Sequence, residues 1–452
     1  MAQNGTVDRG TALRMAIDRQ RAGDRAGAID IYQRILAADP DFAAAWINLG
    51  VALRAEGRYA ASVACLRRGV ALHPDDAASL SNLGNALRST GHLEAAASVH
   101  EQAIALDPAT GSYIYNYALV QRDQGKFGAA LENFDAAQAK SYASPELNWD
   151  RALALLLQGD LARGFTEYEW RWKIPDAKPR GMATPVWNGE ELRAKTLLVY
   201  AEQGFGDTIQ FARYLPLIAP RAARIVFECQ APLRRLFQSS ALGDTVRVFA
   251  RDDNGSLPDH DVQSALLSLP RLADAGSVPA TTPYLSPPGD AGAPALRGGG
   301  IHVGIAWAGK PTHRNDRNRS MPLATLAPLF DVPGATFHSL QFGDPAKAIQ
   351  AQGFTALVRD HRGAIGDFAD SAALVAGLDL VIGVDTALVH LAGALGRPVW
   401  TLLPFVPDWR WQTGREDSPW YPSMRLFRQT GPGRWKDVIE RVRTALEKFA
   451  AD

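Results

Sequence analysis

The sequence is short of several things, and each shortage excludes a class of protein. Only two cysteines, Cys65 and Cys229, occur in 452 residues. They are far apart, so neither a zinc spacing nor a disulfide framework is available, and this usage suits a reducing compartment. The formal net charge is +0, which implies no general attraction to nucleic acid or to an anionic membrane. No apolar run reaches the roughly 18 residues of a membrane span. The start, MAQNGTVDRG, lacks the basic-then-apolar pattern of a secretory leader. Neither a Walker A loop nor G-x-G-x-x-G occurs, which argues against an NTPase and a dinucleotide enzyme. The adjacent acids Asp252 and Asp253 lack a partner cluster, so no metal is expected. The expectation is a cytoplasmic protein without a nucleic-acid partner or a transmembrane segment, with peripheral membrane association left open.

What is present begins with a repeat. Glycines recur at Gly23, Gly57, Gly91, Gly125 and Gly159, each step being 34 residues, and Pro40, Pro74 and Pro108 keep the same step. The clearest unit is AAAWINLGVALRAEGRYAASVACLRRGVALHPDD, with Trp46, Leu49 and Gly50 in a first helical pattern, Tyr59 after the turn and Pro74 at the end. Small residues at Gly50, Gly84 and Ala118 would let paired helices approach closely, and glycine at the turn permits a left-handed cap. This pattern resembles the tetratricopeptide repeat. It covers residues 9–172 in five units, the last degenerate, with an aromatic tail of Tyr168, Trp170 and Trp172. Those rings read as the cap of the solenoid and its glue to the next domain, direct ligand contact being the other reading. Such an array implies a groove for a protein or peptide.

From Thr196 onward the pattern changes. Short apolar runs (TLLVY, RIVFEC, TVRVFA) alternate with helical patterns, as in βαβ units on a parallel sheet. Residues 286–300, SPPGDAGAPALRGGG, read as a linker. The alternation then restarts with IHVGIAWAG, ATFHSLQF, FTALVRD, LDLVIGVD and PVWTLLP. The fold expected is an all-α repeat solenoid followed by two Rossmann-like α/β halves, 185–285 and 301–445. Ligands of such sheets bind beyond the carboxyl ends of the strands, so two facing halves would make one cleft.

Three stretches carry candidate chemistry. In VYAEQGFGDTIQFARY, Asp207 follows a strand on the turn that contains Gln203, Gly204 and Gly206. It could face the cleft, or it could only cap the next helix. In the second half, a strand ends at Asp385, Thr386 and Ala387 open a helix, and His390 lies one turn on. Free amides and the helix dipole there would favour a phosphate, the plainer alternative being a capped helix with a half-buried histidine. Between these lies AWAGKPTHRNDRNRSMP, where Lys310, Arg314, Arg317 and Arg319 crowd a loop beside Gly309. They suit a diphosphate or form a solvated basic loop. Trp307, Gln341 and Trp409 are further cleft candidates. Trp409 belongs to an aromatic segment, 405–421, read either as a loop packed on the core or as a stacking wall for the donor.

QGFGDTIQ, followed by GVDTALVHLAGALGRPV, resembles the bacterial lipopolysaccharide heptosyltransferases, a family with the GT-B fold. The second motif fits that family's D-[ST]-[GA]-x-x-H-x-A-[AG]-x-x-G-x-P pattern. The likeness extends over about residues 185–445, and the whole chain resembles bacterial tetratricopeptide-repeat glycosyltransferases. It implies that Asp207 is the general base, that Asp385, Thr386, Ala387 and His390 lie at the donor sugar and its diphosphate, and that Lys310 matches the donor-site lysine. The loop THRNDRNRS and the segment from Pro404 to Gln429 depart from the family pattern and leave the sugar and acceptor open. A likeness to O-linked N-acetylglucosamine transferases is one of architecture only.

The expected function is transfer of a sugar from a nucleotide-diphosphate sugar, as co-substrate, to a protein, glycan or lipid acceptor. The transfer would be metal-independent and inverting, with the repeats recruiting acceptor or partner. The alternative is a scaffold or sugar-binding module on a glycosyltransferase-like fold without turnover.

Overall fold

A computed structural model describes residues 8–175, 177–251, 257–273, 277–313 and 315–451. Asp252, Asp253 and Arg314 lie outside them. The chain forms two compact units that divide between Ala154 and Leu155.

The first unit is built of antiparallel helix pairs, among them Ala43–Ala55 with Tyr59–Leu72 and Ala77–Ser89 with Leu93–Leu106. The glycines at the 34-residue step all have positive φ, between 74° and 90°, which explains glycine at each inter-helix turn. The small residues within the helices act by space. A Cβ on Gly50 would stand 2.5 Å from Leu66 Cγ, and one on Gly84 2.5 Å from His100 Nε2. Each helix therefore seats a partner side chain directly on its backbone.

The second unit holds two all-parallel sheets. The first contains β1 (Leu192–Tyr200), β2 (Ala222–Gln230), β3 (Val246–Arg251) and β4 (Val262–Ala265) in the order β3-β2-β1-β4. The second contains β5 (Ile301–Ala306), β6 (Ala335–Ser339), β7 (Val358–Asp360), β8 (Leu380–Val384), β9 (Val399–Leu403) and β10 (Met424–Arg428) in the order β10-β9-β8-β5-β6-β7. Every residue of β8 and β9 is buried, as expected for parallel strands covered on both faces. The apolar runs of the sequence mark most of these strands. They leave out β4, whose VQSA has polar residues in a buried strand, and β10, an edge strand that carries Arg425 and Arg428.

Strand order reverses between β1 and β4 in the first sheet and between β5 and β8 in the second. At such switch points the loops leave in opposite directions and open a crevice. Two short helices start beyond them, Phe205–Phe211 after β1 and Ala387–Ala394 after β8. Their starts abut: a Cβ on Gly206 would lie 3.0 Å from His390 Cδ2 and 3.2 Å from Ala387 Cα. Their far ends are joined through Tyr284, which precedes the linker. Its hydroxyl donates to the Ile209 carbonyl at 2.9 Å, and its backbone N–H donates to the Ala394 carbonyl at 3.0 Å.

The tail of the last repeat belongs to this second unit. Phe165 and Tyr168 pack edge-on against Trp409, and Phe165 also against Phe211. Buried Arg171 pairs with Glu202 at 3.1 Å and donates to Ser268 Oγ at 2.7 Å. Tyr168 thus packs within the second unit, against residues that flank the crevice.

Candidate active site

A cavity of about 1160 Å³ opens where the carboxyl ends of both sheets meet. Its lining follows from topology. Gln203, Gly204, Gly206 and Asp207 come after β1, Gly309, Lys310 and Arg319 after β5, Gln341 after β6, Asp385, Thr386, Ala387 and His390 after β8, and Asp408 and Arg410 after β9. The turn at Asp207 and the turn at Asp385 therefore face one space.

Asp207 lies in the first turn of its helix. Oδ2 accepts from the Gly204 N–H at 2.8 Å, so the carboxylate does cap the turn. Oδ1 accepts from Arg410 Nη2, a residue of the other half. Arg410 also donates through Nη1 to Asp408 Oδ1 at 2.8 Å and through Nε to Gln210 Oε1 at 2.8 Å. Its guanidinium lies 4.3 Å from the Trp409 ring centroid. Burial alone would lower the Arg410 pKa, but Asp408 and Asp207 outweigh burial and raise it, so it is a fixed cation. The side chain of Asp207 remains 22% exposed, enough to reach the cavity.

On the opposite wall, burial and the Asp408 charge push the Asp385 carboxyl up to about 6. His390 goes the other way. Burial, followed by Arg410, Arg213 and Arg319, holds it well below the ordinary histidine range, so the ring is neutral. Its Nδ1 is 3.0 Å from the Tyr421 hydroxyl, and the ring stacks on Trp411 at 5.1 Å. The 3.9 Å between His390 Nε2 and Asp385 Oδ1 is accordingly no ion pair at neutral pH. No side chain caps the helix that starts at Ala387, and Thr386 Oγ1 is buried without a partner. The first amides of this start are thus left without a side-chain partner.

The basic loop is thinner in free charge than its composition suggests. Arg319 donates through Nη1 to the Asp385 carbonyl at 3.0 Å and pairs with Asp316 at 3.4 Å, which ties the loop to the β8 turn. Lys310 lines the cavity and is exposed, and its ammonium has no ion-pair or hydrogen-bond partner among the described residues. Arg317 is exposed and stands outside the lining, because its short helix, Asp316–Arg319, turns Arg319 inward instead.

Two tryptophans need correction as cleft residues. Trp307 is 2% exposed and belongs to the core of the second sheet, and Trp409 is 5% exposed among Phe165, Tyr168, Phe211 and Trp420. The aromatic segment is core packing, and its polar members Asp408 and Arg410 are what reach the cavity. Gln341 lines the wall but is spent on structure. Its Oε1 accepts from the Trp307 and Ala308 amides at 3.0 and 2.9 Å, and its Nε2 donates to the Ala308 carbonyl at 2.9 Å. His313, Phe342 and Phe368 also line the cavity; sequence reasoning missed them. Their signal was position, each following a strand or turn of the second half. Among the described residues no cluster of three or more His, Cys, Asp or Glu is placed to hold a metal ion.

Parallel sheets meeting at one cavity, after a repeat array in the sequence, define a repeat-bearing protein of the GT-B plan. Comparison with known proteins agrees in both parts. Residues 20–87, 79–112 and 115–178 match tetratricopeptide repeat families, and residues 366–443 match the family described as glycosyltransferase family 9 (heptosyltransferase). The chain thus joins N-terminal tetratricopeptide repeats to a glycosyltransferase family 9 domain. It is 31% identical over 354 residues to Protein FlbA of Caulobacter vibrioides, an alignment that covers 70% of this chain and 58% of that one. The chain therefore spans a little over half the length of that relative. Among solved structures it is similar to MamA, at 22% identity over 34% of this chain and 91% of that one, with a TM-score of 0.31. It is also similar to PilW, a type IV pilus biogenesis factor, at 19% identity over 36% and 76%, with a TM-score of 0.35.

Proposed function

We propose that the second unit transfers a sugar from a nucleotide-diphosphate sugar to a hydroxyl of a protein or glycan acceptor, inverting the anomeric centre without a metal, and that the repeats recruit the acceptor. The observation that carries this reading is that Asp207 and the uncapped helix start at Thr386 face the same cavity from different sheets.

The steps follow from that arrangement. The donor diphosphate rests on the free amides at Thr386–Leu388, with Lys310 beside it as counter-charge. The acceptor approaches from the Gly204–Asp207 turn. Asp207 takes the proton of the acceptor hydroxyl, the oxygen bonds to the anomeric carbon, and the bond from that carbon to the phosphate oxygen breaks. The diphosphate leaves with the electron pair, and helix amides and Lys310 stabilise its charge. A cytoplasmic setting suits this chemistry and the two buried thiols, Cys65 and Cys229. No helix among the described residues is long and apolar enough to cross a membrane.

The test is release of nucleoside diphosphate from a panel of UDP-, GDP- and ADP-sugars by the full chain, with EDTA present, alongside Asp207→Asn. Turnover of one donor that survives EDTA and collapses in the variant is the expected result. Absence of any donor turnover or binding across the panel would point instead to a module without catalysis.

A further inference from the structure

Asp207 is held by a residue that the reaction outlined above does not use. Arg410 comes from the turn after β9, in the half that carries the donor wall, yet it donates to a carboxylate of the other half. Its side chain is 8% exposed, and every nitrogen is engaged: Nη2 by Asp207, Nη1 by Asp408 and Nε by Gln210. Trp409 and Phe211 cover the faces of the guanidinium. A cation buried so completely and bound on three sides is not available to a phosphate. Buried arginine forks of this kind fix the geometry of the carboxylate they hold.

We infer that Arg410 is the positioning residue of the base: it aims Asp207 at the cavity. The inference rests on the proposed role of Asp207. The Gly204 amide holds Oδ2 and Arg410 holds Oδ1. Each oxygen has a second lone pair, so the carboxylate can accept the acceptor's proton without releasing either partner. Because Arg410 is carried by the donor half, Asp207 is aligned only while the two walls are together. The base is thereby made ready by the same wall that receives the donor.

Other groups face Asp207 too. Tyr168 comes from the last repeat, Glu202 from the same turn, and His313, Asp408 and His390 from the donor wall. Burial raises the Glu202 carboxyl to about 7. Burial also holds His390 and His313 below the ordinary histidine range and raises Tyr168. Among the described residues Arg410 is the cation in direct contact with Asp207. Its removal should therefore free the carboxylate to turn away from the cavity.

The experiment measures donor hydrolysis by the full chain between pH 4.5 and 9, using whichever of UDP-N-acetylglucosamine, GDP-mannose or ADP-glucose is turned over fastest. Wild type, Arg410→Lys, Arg410→Met and Asp207→Asn are compared, each first checked for fold by circular dichroism. Arg410→Met is expected to lower kcat at least tenfold across this range, with the donor KM within about twofold of wild type. Arg410→Lys, which keeps the charge but not the fork, is expected to restore only part of kcat. If Arg410→Met folds and keeps the wild-type kcat, or if both variants only lower thermal stability and raise KM, Arg410 is a structural tie and the inference fails. If Arg410→Met does not fold, Arg410→Lys decides: undiminished kcat overturns the aiming role. Full activity of Asp207→Asn would remove the base itself, an outcome separate from any seen at Arg410.

Discussion

Gly206 lies against His390 with no room for a side chain: a Cβ there would stand 3.0 Å from the imidazole Cδ2 and 3.2 Å from Ala387 Cα. The second neighbour is backbone, so it cannot rotate away. Gly206→Ala should act as a wedge between the two helix starts. Overpacking of this kind costs about 1–3 kcal/mol. The expected result is a lower melting temperature together with weaker nucleotide binding, measured by thermal melts and calorimetry. A variant with wild-type stability and affinity would show that the walls part freely.

Asp207→Asn keeps the shape and the bond from Gly204 but cannot take a proton at neutral pH. Turnover should fall by roughly 10²–10⁴-fold, the usual worth of a general base, while nucleotide affinity changes little. Steady-state kinetics beside calorimetry separates the two. Near-normal turnover would leave Asp207 as a helix cap and nothing more.

Three cations of the basic loop should behave differently. Lys310→Ala removes an unpaired charge on the cavity wall and should weaken nucleoside diphosphate binding by about 1.5–3 kcal/mol, an effect that grows at low salt. Arg319→Ala breaks the tie to the Asp385 carbonyl and should lower both stability and affinity. Arg317→Ala should alter neither. Calorimetry with UDP, GDP and ADP on folded variants checks the order, and an effect of Arg317 equal to that of Lys310 would contradict it.

The raised Asp385 pKa carries a pH signature. Burial and Asp408 lift it from 3.8 to about 6, so the folded state holds this proton more tightly than the unfolded state. Its contribution is fully present below about 3.8 and is lost as pH rises through about 6. Asp385→Asn removes that loss. The variant should gain on the wild type between pH 4 and pH 7, by at most ~3 kcal/mol, in denaturant melts run at both values. A gap that does not widen with pH would show that the ionised carboxylate is better compensated than its surroundings imply.

Deleting residues 1–144 should leave nucleotide binding intact, since the cavity lining lies wholly in the second unit. Deleting through Trp172 should not, because Phe165, Tyr168 and Arg171 pack against Trp409, Phe211 and Glu202. Melts of the two truncations with and without UDP, GDP or ADP distinguish them. Equal stability would make the tail dispensable.

Much of this organisation is legible in the residues. The 34-residue glycine step is legible because one backbone conformation recurs and only glycine adopts it cheaply. The strand–turn–helix motifs at Asp207 and Asp385 are legible because each is local. Partners that come together only through the fold are not. Arg410 stands in an aromatic stretch whose rings could equally face solvent, a base or the core, and nothing nearby in sequence links it to Asp207, 203 residues away. Burial misled in the same way. Trp307 and Trp409 look like stacking surfaces until the packing around them is known, and Arg317 and Arg319 differ only in the phase of one helical turn.

Tyr284 gives the assembly a mechanical character. It pins the far ends of the helices Phe205–Phe211 and Ala387–Ala394, whose near ends touch at Gly206 and Ala387. Two short rods fastened at one end and in contact at the other are braced as a strut. The spacing of the walls that carry Asp207 and Thr386 is thus set in part at the residue that introduces the linker.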